Sequence, residues 1–165
     1  YALPRDDLVG ALADLRAARE LQPEHLSWYQ LTLEPNTAFQ RRPPALPAED
    51  LALAIEAAGR ELLAAHGYER YEISAYARAG RRCRHNLSYW QFGDYLGIGA
   101  GAHGKVTVLE QQSVVRRAKQ RNPRSYTEHA GSSRACSEER IDSGLVLEFM
   151  MNAVRLVDGV TVTDF

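Results

Sequence analysis

Chemistry-bearing side chains are concentrated between residues 81 and 106, in the run RRCRHNLSYWQFGDYLGIGAGAHGKV. His85 and Asn86 follow a basic turn, and Tyr89 and Trp90 come three and four residues after Asn86. If the turn opens a helix, His85 and Tyr89 lie on one face, because residues four apart are neighbours on a helix. An imidazole beside aromatic rings could bind a flat aromatic macrocycle, with its nitrogen as an axial ligand. The alternative is structural, namely a capping Asn and an aromatic pair in the core.

Glycines follow this motif with a period of two, at Gly97, Gly99 and Gly101. In a strand these three would point to one face, where a flat ring or another backbone can approach closely. Tight packing inside a barrel is the alternative. The run also contains G-x-G-x-x-G, but the β-prone KVTVL follows it, where a dinucleotide-binding fingerprint requires a helix. We therefore reject dinucleotide binding.

Glu34 follows the predicted strand HLSWYQLTL, residues 25–33, at its carboxyl end. Ligands of parallel α/β folds bind at that end, so Glu34 is a candidate site residue, and a loop-capping role is the alternative. A zinc site is not indicated, because Cys83 and His85 are too close in sequence and no second pair lies nearby. Three histidines are assigned to surface or helix-end roles: His25, His66 and His129.

The elements that would position these side chains alternate between helix and strand. Apolar residues at helical spacing predict one helix before Pro23 and another over 48–66, with Gly67 as its C-cap. YERYEISAYA predicts a strand, KVTVLEQQSVV a hairpin, NPRSYTEHA a short helix, and residues 144–156 a strongly apolar helix. The polar stretch GSSRACSEER is interpreted as a linker. This order predicts an α/β fold, most economically part of a parallel βα barrel or sheet.

Bulk properties exclude several classes of protein. The 165 residues carry a formal net charge of -1, so the overall charge does not favour binding to nucleic acid. No apolar run approaches the roughly 20 residues that cross a bilayer. Two cysteines, Cys83 and Cys136, indicate a reduced, cytoplasmic protein and are too few for an iron–sulfur cluster, which normally takes three or four. The first and last residues, YALP and VTVTDF, indicate a segment of a longer protein.

Four blocks of the sequence, in this order, carry a resemblance to a known family: HLSWYQLTLEPNTAF, YERYEISAYARAG, CRHNLSYWQFGDYLGIGAGAHG and EFMMNAVRL. They closely resemble the HemW family of heme chaperones, within the radical S-adenosylmethionine (SAM) superfamily. The match extends over nearly the whole chain, and the HNxxYW and GIGxGAH blocks together are specific. Ala2 stands where the family usually has Gly.

The resemblance implies a fragment of a partial, open (β/α) radical-SAM barrel. Residues 1–130 would form the second half of the barrel, 131–140 a linker, and 141–165 the start of a C-terminal helical domain. The family binds a [4Fe-4S] cluster through a C-x-x-x-C-x-x-C motif that this sequence does not contain. We therefore do not expect this chain to bind the cluster as the family does.

The resemblance also implies site residues. The HNxxYW motif is associated with heme, through His85, Asn86, Tyr89 and Trp90. Among these, His85 is the implied iron ligand. Thr32 and His103 match positions that contact SAM in related enzymes. Glu34 and the three glycines of the predicted strand are added to these two residues. The implied SAM contacts are therefore Thr32, Glu34, Gly97, Gly99, Gly101 and His103.

Three functional hypotheses follow. In the favoured one, the protein is a heme chaperone that delivers heme to hemoproteins of the membrane, with SAM and a [4Fe-4S] cluster as cofactors of the full-length family protein. The alternative is a radical enzyme, an oxygen-independent coproporphyrinogen III oxidase of heme biosynthesis. In the third, an incomplete barrel has no activity by itself.

Overall fold

The computed structural model describes residues 1–111, 113–141 and 143–161. The chain divides into two compact units, Tyr1–Cys83 and Arg84–Phe165, a division that the sequence did not predict. The boundary lies directly before the HNxxYW motif, so all the candidate heme contacts belong to the second unit. No helix in the described ranges is both long and apolar enough to span a membrane.

The first unit contains α1 (Leu8–Glu20), β1 (His25–Ser27), α2 (Ala38–Arg41), α3 (Glu49–Ala65), β2 (Glu69–Glu72) and β3 (Ala75–Ala77). The two long helices confirm the helices predicted from apolar spacing. α1 begins where the side chain of Asp7 accepts a hydrogen bond from the Gly10 amide at 2.7 Å. After α3, Gly67 takes a left-handed conformation, with φ of +79°, and turns the chain toward β2.

The core of the first unit combines one leucine from each long helix with two tyrosines: Leu15, Leu63, Tyr68 and Tyr76. Trp28 packs against this core and directly over Gly59 of α3. A β-carbon at position 59 would lie 1.9 Å from the Trp28 ring, so this approach of the indole to the helix requires glycine.

The sheet of the first unit has the order β1-β3-β2, and both strand pairs are antiparallel. The element order had predicted parallel neighbours. The difference arises because YERYEISAYA is not one strand: it turns at Ile73 and Ser74, and β3 folds back between β1 and β2. The strand predicted over residues 25–33 is also shorter and ends at Ser27.

A parallel hydrogen-bond pattern nevertheless occurs at the start of the chain. The Tyr1 amino group donates to the Tyr29 carbonyl at 2.7 Å, and the Leu31 amide donates to the Tyr1 carbonyl at 2.9 Å. These two bonds run from one residue to positions on either side of Gln30, as in a parallel pair. Residues 29–31 therefore lie beside Tyr1 in the manner of neighbouring barrel strands.

The second unit contains α4 (Arg84–Trp90), β4 (His103–Val108), β5 (Ser113–Lys119), α5 (Pro123–Glu128), β6 (Cys136–Ile141) and α6 (Leu145–Ala153), with short 3-10 turns at Leu109–Gln111 and Ser133–Ala135. β4, β5 and β6 form an antiparallel sheet in that order. The predicted hairpin, the short helix at Pro123 and the apolar helix are confirmed as β4–β5, α5 and α6.

The predicted linker over residues 131–140 is wrong in its second half, because residues from Cys136 onward form β6. The sequence of this strand is polar, but its charges face opposite charges on β5. Arg117 pairs with Glu138 across the sheet, with Nε 2.7 Å from Oε1. Cross-strand ion pairs of this kind stabilise a strand that has little apolar surface to bury.

Candidate functional site

The HNxxYW motif forms α4, and the predicted neighbourhood of His85 and Tyr89 is confirmed. Their ring centroids are 4.8 Å apart, with an angle of 83° between the planes. This is the edge-to-face arrangement that aromatic rings favour. His85 is exposed, and within the described residues no hydrogen bond involves either nitrogen of its ring. The imidazole is therefore available to an external ligand.

Tyr89 lies at the centre of an aromatic cluster. Its ring centroid is 4.4 Å from that of Tyr95 and 6.3 Å from that of Trp90. Burial, and after it the neighbouring Tyr89, raises the pKa of Tyr95, so the phenol stays neutral. Tyr89, Trp90 and Tyr95 are all half-buried, which differs from the fully buried aromatic pair of the structural alternative.

Trp90 faces a cation. The guanidinium carbon of Arg155, just after α6, lies 4.3 Å from the centre of the indole ring, within cation–π distance. The Trp90 Nε1 atom is buried and has no hydrogen-bond partner in the described part of the chain. Asn86, on the same helix, is half-buried. The helix thus holds Trp90 against the body of the unit and leaves His85 at the surface.

The chain leaves α4 through a strained turn. Phe92 has a φ of +59°, a left-handed conformation that costs a bulky residue on the order of 1–3 kcal/mol. The next residue, Gly93, donates its amide to the Ser88 carbonyl at 2.7 Å. A β-carbon on Gly93 would lie 2.8 Å from the same carbonyl oxygen, so the turn requires glycine there.

Lys105, on β4, contacts this turn through its ammonium group. Its side chain is buried, with the residue 3% exposed, and Nζ donates to the Phe92 carbonyl at 2.6 Å. Nζ also lies 3.5 Å from Asp94 Oδ1 and 3.6 Å from the centre of the Phe92 ring. Burial lowers the pKa of Lys105, and the Asp94 carboxylate opposes that shift.

Asp94 is fixed in turn by Thr107, whose amide and hydroxyl donate to its two carboxylate oxygens at 2.9 and 2.8 Å. Burial by itself would raise the pKa of Asp94, but these two hydrogen bonds and the nearby Lys105 lower it below its usual range. This group of residues was not predicted from the sequence. The available signal was a single lysine inside the β-prone run KVTV.

The predicted glycine-rich strand is wrong, and so is the single bare face that it would present. Gly99 and Gly101 have φ values of +100° and +72°, which belong to a turn, and β4 begins only at His103. Gly97 does permit a close approach, but of backbone: a β-carbon there would lie 2.1 Å from the His103 carbonyl oxygen. His103 itself is exposed at the start of the strand.

Thr32 and Glu34 lie close together in the first unit, beyond the end of β1. The Thr32 hydroxyl donates to Glu34 Oε1 at 2.8 Å, and both residues are exposed. The Glu34 carbonyl accepts the hydroxyl of Thr37, which is the N-cap of α2, at 2.7 Å. The backbone of Glu34 therefore supports the loop, while its carboxylate is held at the surface by Thr32.

The other histidines differ from the prediction in one case. His66 and His129 lie at helix C-caps, where each ring contacts a carbonyl of the last turn, as expected. His25, by contrast, is half-buried in β1, with Nε2 2.9 Å from the Tyr71 hydroxyl. The surface role predicted for His25 is therefore wrong.

No protein-family model matches this sequence. Over all 165 residues the chain is 48% identical to the heme chaperone HemW of Escherichia coli and 47% identical to that of Haemophilus influenzae. The chain belongs to the HemW family. It spans 43% and 42% of the lengths of these two relatives.

A solved structure supports the fold expected for a HemW-family chain. The coproporphyrinogen III oxidase (HemN) of Escherichia coli, described as a radical SAM enzyme, superposes with a TM-score of 0.71. The superposition covers 94% of this chain and 39% of that one, at 18% sequence identity. The likeness shows a partial α/β radical-SAM fold, which confirms the predicted fold class.

The residues of this HemW-family chain do not fit an iron–sulfur cluster. Cys83 and Cys136 are the two cysteines of the sequence, and both are free thiols. Among the described residues, no three or more His, Cys, Asp or Glu side chains are grouped so that they could hold a metal ion. His85 remains a single candidate ligand for an iron that is already held by a macrocycle.

Proposed function

We propose that this HemW-family chain contributes the heme-binding surface of a heme chaperone, with His85 as the axial ligand of the iron. The observation that carries the proposal is an exposed imidazole without a hydrogen-bond partner in the described residues, set edge-to-face against Tyr89 at 4.8 Å. Two relatives that match the entire chain carry the name heme chaperone HemW.

Each residue of the motif has a distinct role in this proposal. When bound, heme supplies a planar apolar macrocycle and an iron that accepts an axial nitrogen ligand. His85 offers that nitrogen, and Tyr89 restricts the rotation of the imidazole by packing against it. Trp90, fixed by Arg155, supports the helix and adds aromatic surface. Asn86, half-buried beside His85, is a further heme contact in the proposal.

SAM and a [4Fe-4S] cluster are proposed for the full-length protein, since both belong to the radical SAM family. The proposed SAM contacts belong to both units of the chain. Thr32 and Glu34 present an exposed hydroxyl–carboxylate pair, and His103 is exposed beside Gly97. Gly99 and Gly101 lie in a turn, so they would contact SAM through their backbone and not as one face of a strand. The two cysteines of this chain do not fit the cluster.

The proposed acceptors are hemoproteins, including those of the membrane, and the proposed location is the cytoplasm, as two free thiols indicate. The alternative function, an oxygen-independent coproporphyrinogen III oxidase, is not favoured. The relatives that match the whole chain at 47–48% identity are named heme chaperones, whereas the resemblance to the oxidase is one of fold, at 18% identity.

Titration of the full-length protein with heme, followed through the Soret absorbance, tests the proposal. His85→Ala should weaken heme binding by roughly 100-fold, because residues that merely orient a metal ligand already contribute about 10- to 100-fold. The absorption spectrum should also lose the features of a histidine-ligated iron.

His129→Ala is the matched control, because this histidine belongs to the same unit but its ring nitrogen contacts the Ser125 carbonyl of its own helix. Its heme affinity should equal that of the unmodified protein. Equal affinities for His85→Ala and the unmodified protein would remove His85 as the ligand and the proposal with it.

A further inference from the structure

Lys105 is joined to the segment that follows α4 by both its side chain and its backbone. The ammonium group contacts the Phe92 carbonyl, the Phe92 ring and the Asp94 carboxylate. The amide and carbonyl of Lys105 exchange hydrogen bonds of 2.9 Å with those of Tyr95. A single buried residue thus fixes the chain from Phe92 to Tyr95.

The segment needs such support because its own conformation is unfavourable. Phe92 is left-handed, and its carbonyl oxygen points at the lysine instead of continuing the hydrogen bonds of the helix. An ammonium group shared between a carbonyl, a carboxylate and an aromatic face offsets this strain more strongly than a neutral donor would. The turn is therefore held from β4 in addition to the amide hydrogen bonds that Phe92 and Gly93 donate to carbonyls of α4.

A continuous series of ring contacts runs from this turn to the candidate ligand. Tyr95, held by Lys105, packs at 4.4 Å on Tyr89, and Tyr89 packs at 4.8 Å on His85. In the same turn, the ring of Phe92 packs edge-to-face on that of Phe149 on α6, with the ring centroids 6.0 Å apart. Displacement of the turn would move Tyr95 and remove the surface against which Tyr89 orients the imidazole.

We propose that Lys105 is a positioning residue for the His85–Tyr89 pair: it orders the turn at residues 92–95 and thereby sets the direction of the exposed imidazole. The inference rests on the proposed function, because its consequence is a change in heme binding. The side chain of Lys105 contacts Phe92 and Asp94, whereas the proposed heme contacts lie on α4.

The charges around Lys105 come from three elements. Asp94 in the turn and Glu148 on α6 favour its ammonium form, and Arg116 on β5 opposes it. Arg116 is itself paired with Glu148. A variant that removes the charge at position 105 therefore leaves Asp94 without its cation but leaves the Arg116–Glu148 pair intact.

The first experiment needs no heme. Amide hydrogen exchange is measured on the full-length protein as Lys105→Met, which keeps the length of the side chain and removes its charge. Exchange over residues 84–95 should become about tenfold faster or more, because local opening of that segment costs less free energy. The matched control is Lys119→Met, since Lys119 is the other lysine of this sequence and lies on β5 of the same sheet. Unchanged exchange in Lys105→Met would overturn the proposal.

The second experiment measures heme affinity and the spectrum of the bound heme. Lys105→Met should lower the affinity by about 2- to 10-fold, no more than loss of the Tyr89 contact through which it acts, and should shift the spectrum toward that of His85→Ala. Lys105→Arg retains a charged donor for Phe92 and Asp94, so it should restore both. Lys119→Met should change neither.

The outcomes separate this inference from the proposed function. If His85→Ala loses heme but Lys105→Met binds it normally, the positioning role is refuted and the heme site stands. If His85→Ala has no effect, the heme site fails, while the exchange rates still decide whether Lys105 orders the turn. Should Lys105→Met fail to fold, Asp94→Asn provides the same test, with a smaller expected increase in exchange because the hydrogen bonds from Thr107 persist.

Discussion

A histidine contacts a tyrosine in each unit of the protein, and the two pairs have opposite surroundings. In the first unit, His25 Nε2 lies 2.9 Å from the hydroxyl of Tyr71, which is 0% exposed. In the second unit, His85 meets the ring of Tyr89 edge-to-face, is exposed, and has no hydrogen bond on its ring within the described ranges. Both pairs consist of a histidine and a tyrosine, but in the His25–Tyr71 pair the polar atoms are hydrogen-bonded to each other.

The difference shows what distinguishes a structural histidine from a candidate ligand. The half-buried imidazole of His25 contributes to packing, and its Nε2 atom is occupied by the Tyr71 hydroxyl, so that nitrogen is not open to an external metal. An exposed imidazole that is oriented only by ring contacts keeps both nitrogens available. Spacing along the sequence predicts the second contact but not the first, because Tyr89 is one helical turn from His85, whereas Tyr71 is 46 residues from His25.

The largest expected effect that separates the two pairs is on stability. Tyr71→Ala should lower the free energy of unfolding by about 3–5 kcal/mol, as expected for removal of a fully buried aromatic side chain. Denaturant titration of the full-length protein measures this loss, and Tyr71→Phe, which removes only the hydroxyl, should lose much less. Folded Tyr71→Ala protein should bind heme with normal affinity. A specific loss of heme affinity in that variant would contradict the separation.

The next effect is on binding and belongs to the exposed pair. Tyr89→Ala should weaken heme binding by about 2- to 10-fold, because an edge-to-face aromatic contact contributes about 0.5–1.5 kcal/mol. Tyr89→Phe keeps the ring edge and should bind heme normally. The measurement is the same Soret titration. If both variants bind as tightly as the unmodified protein, Tyr89 does not orient the ligand.

A smaller effect tests whether Trp90 belongs to the body of the unit. Arg155→Gln removes the cation over the indole and should lower the free energy of unfolding by about 0.5–1 kcal/mol. The control is Arg121→Gln, because Arg121 is an exposed residue outside this contact. Equal stabilities of the two variants would show that the guanidinium adds nothing to the packing of Trp90.

Structural features that depend on residues close in the sequence could be predicted from it. The two long helices, α4, the β4–β5 hairpin and α6 follow from apolar spacing and from turn residues such as Gly67. The contact between His85 and Tyr89 follows from the period of a helix. On the condition that the basic turn opens a helix, the sequence placed His85 and Tyr89 on one face, and the ring contact confirms that placement.

Features decided by distant partners could not be predicted in this way. β6 forms a ladder with β5, in which Glu138 lies opposite Arg117, although its own sequence is that of a polar linker. The glycines at 97, 99 and 101 share a spacing but not a backbone conformation, since two of them are left-handed. Lys105 was overlooked because burial of a lysine depends on acceptors 11 and 13 residues earlier in the chain, at Asp94 and Phe92.

The smallest effect concerns the pH dependence of stability and belongs to His25. Burial lowers the pKa of His25 from its ordinary value of 6.5, although Glu72 opposes the shift. Below pH 6.5 the unfolded chain therefore takes up a proton that the native His25 resists, so stability falls as the pH falls toward the native pKa. Above pH 6.5 both states are neutral at this site, and the contribution is fully present.

His25→Asn should flatten the decline in stability just below pH 6.5, because asparagine does not titrate. Denaturant titrations at a series of pH values between about 5 and 8, around the ordinary histidine pKa, measure the slope. If His25→Asn leaves the slope unchanged, burial of this imidazole does not contribute to the pH dependence, and the structural role assigned to His25 is contradicted.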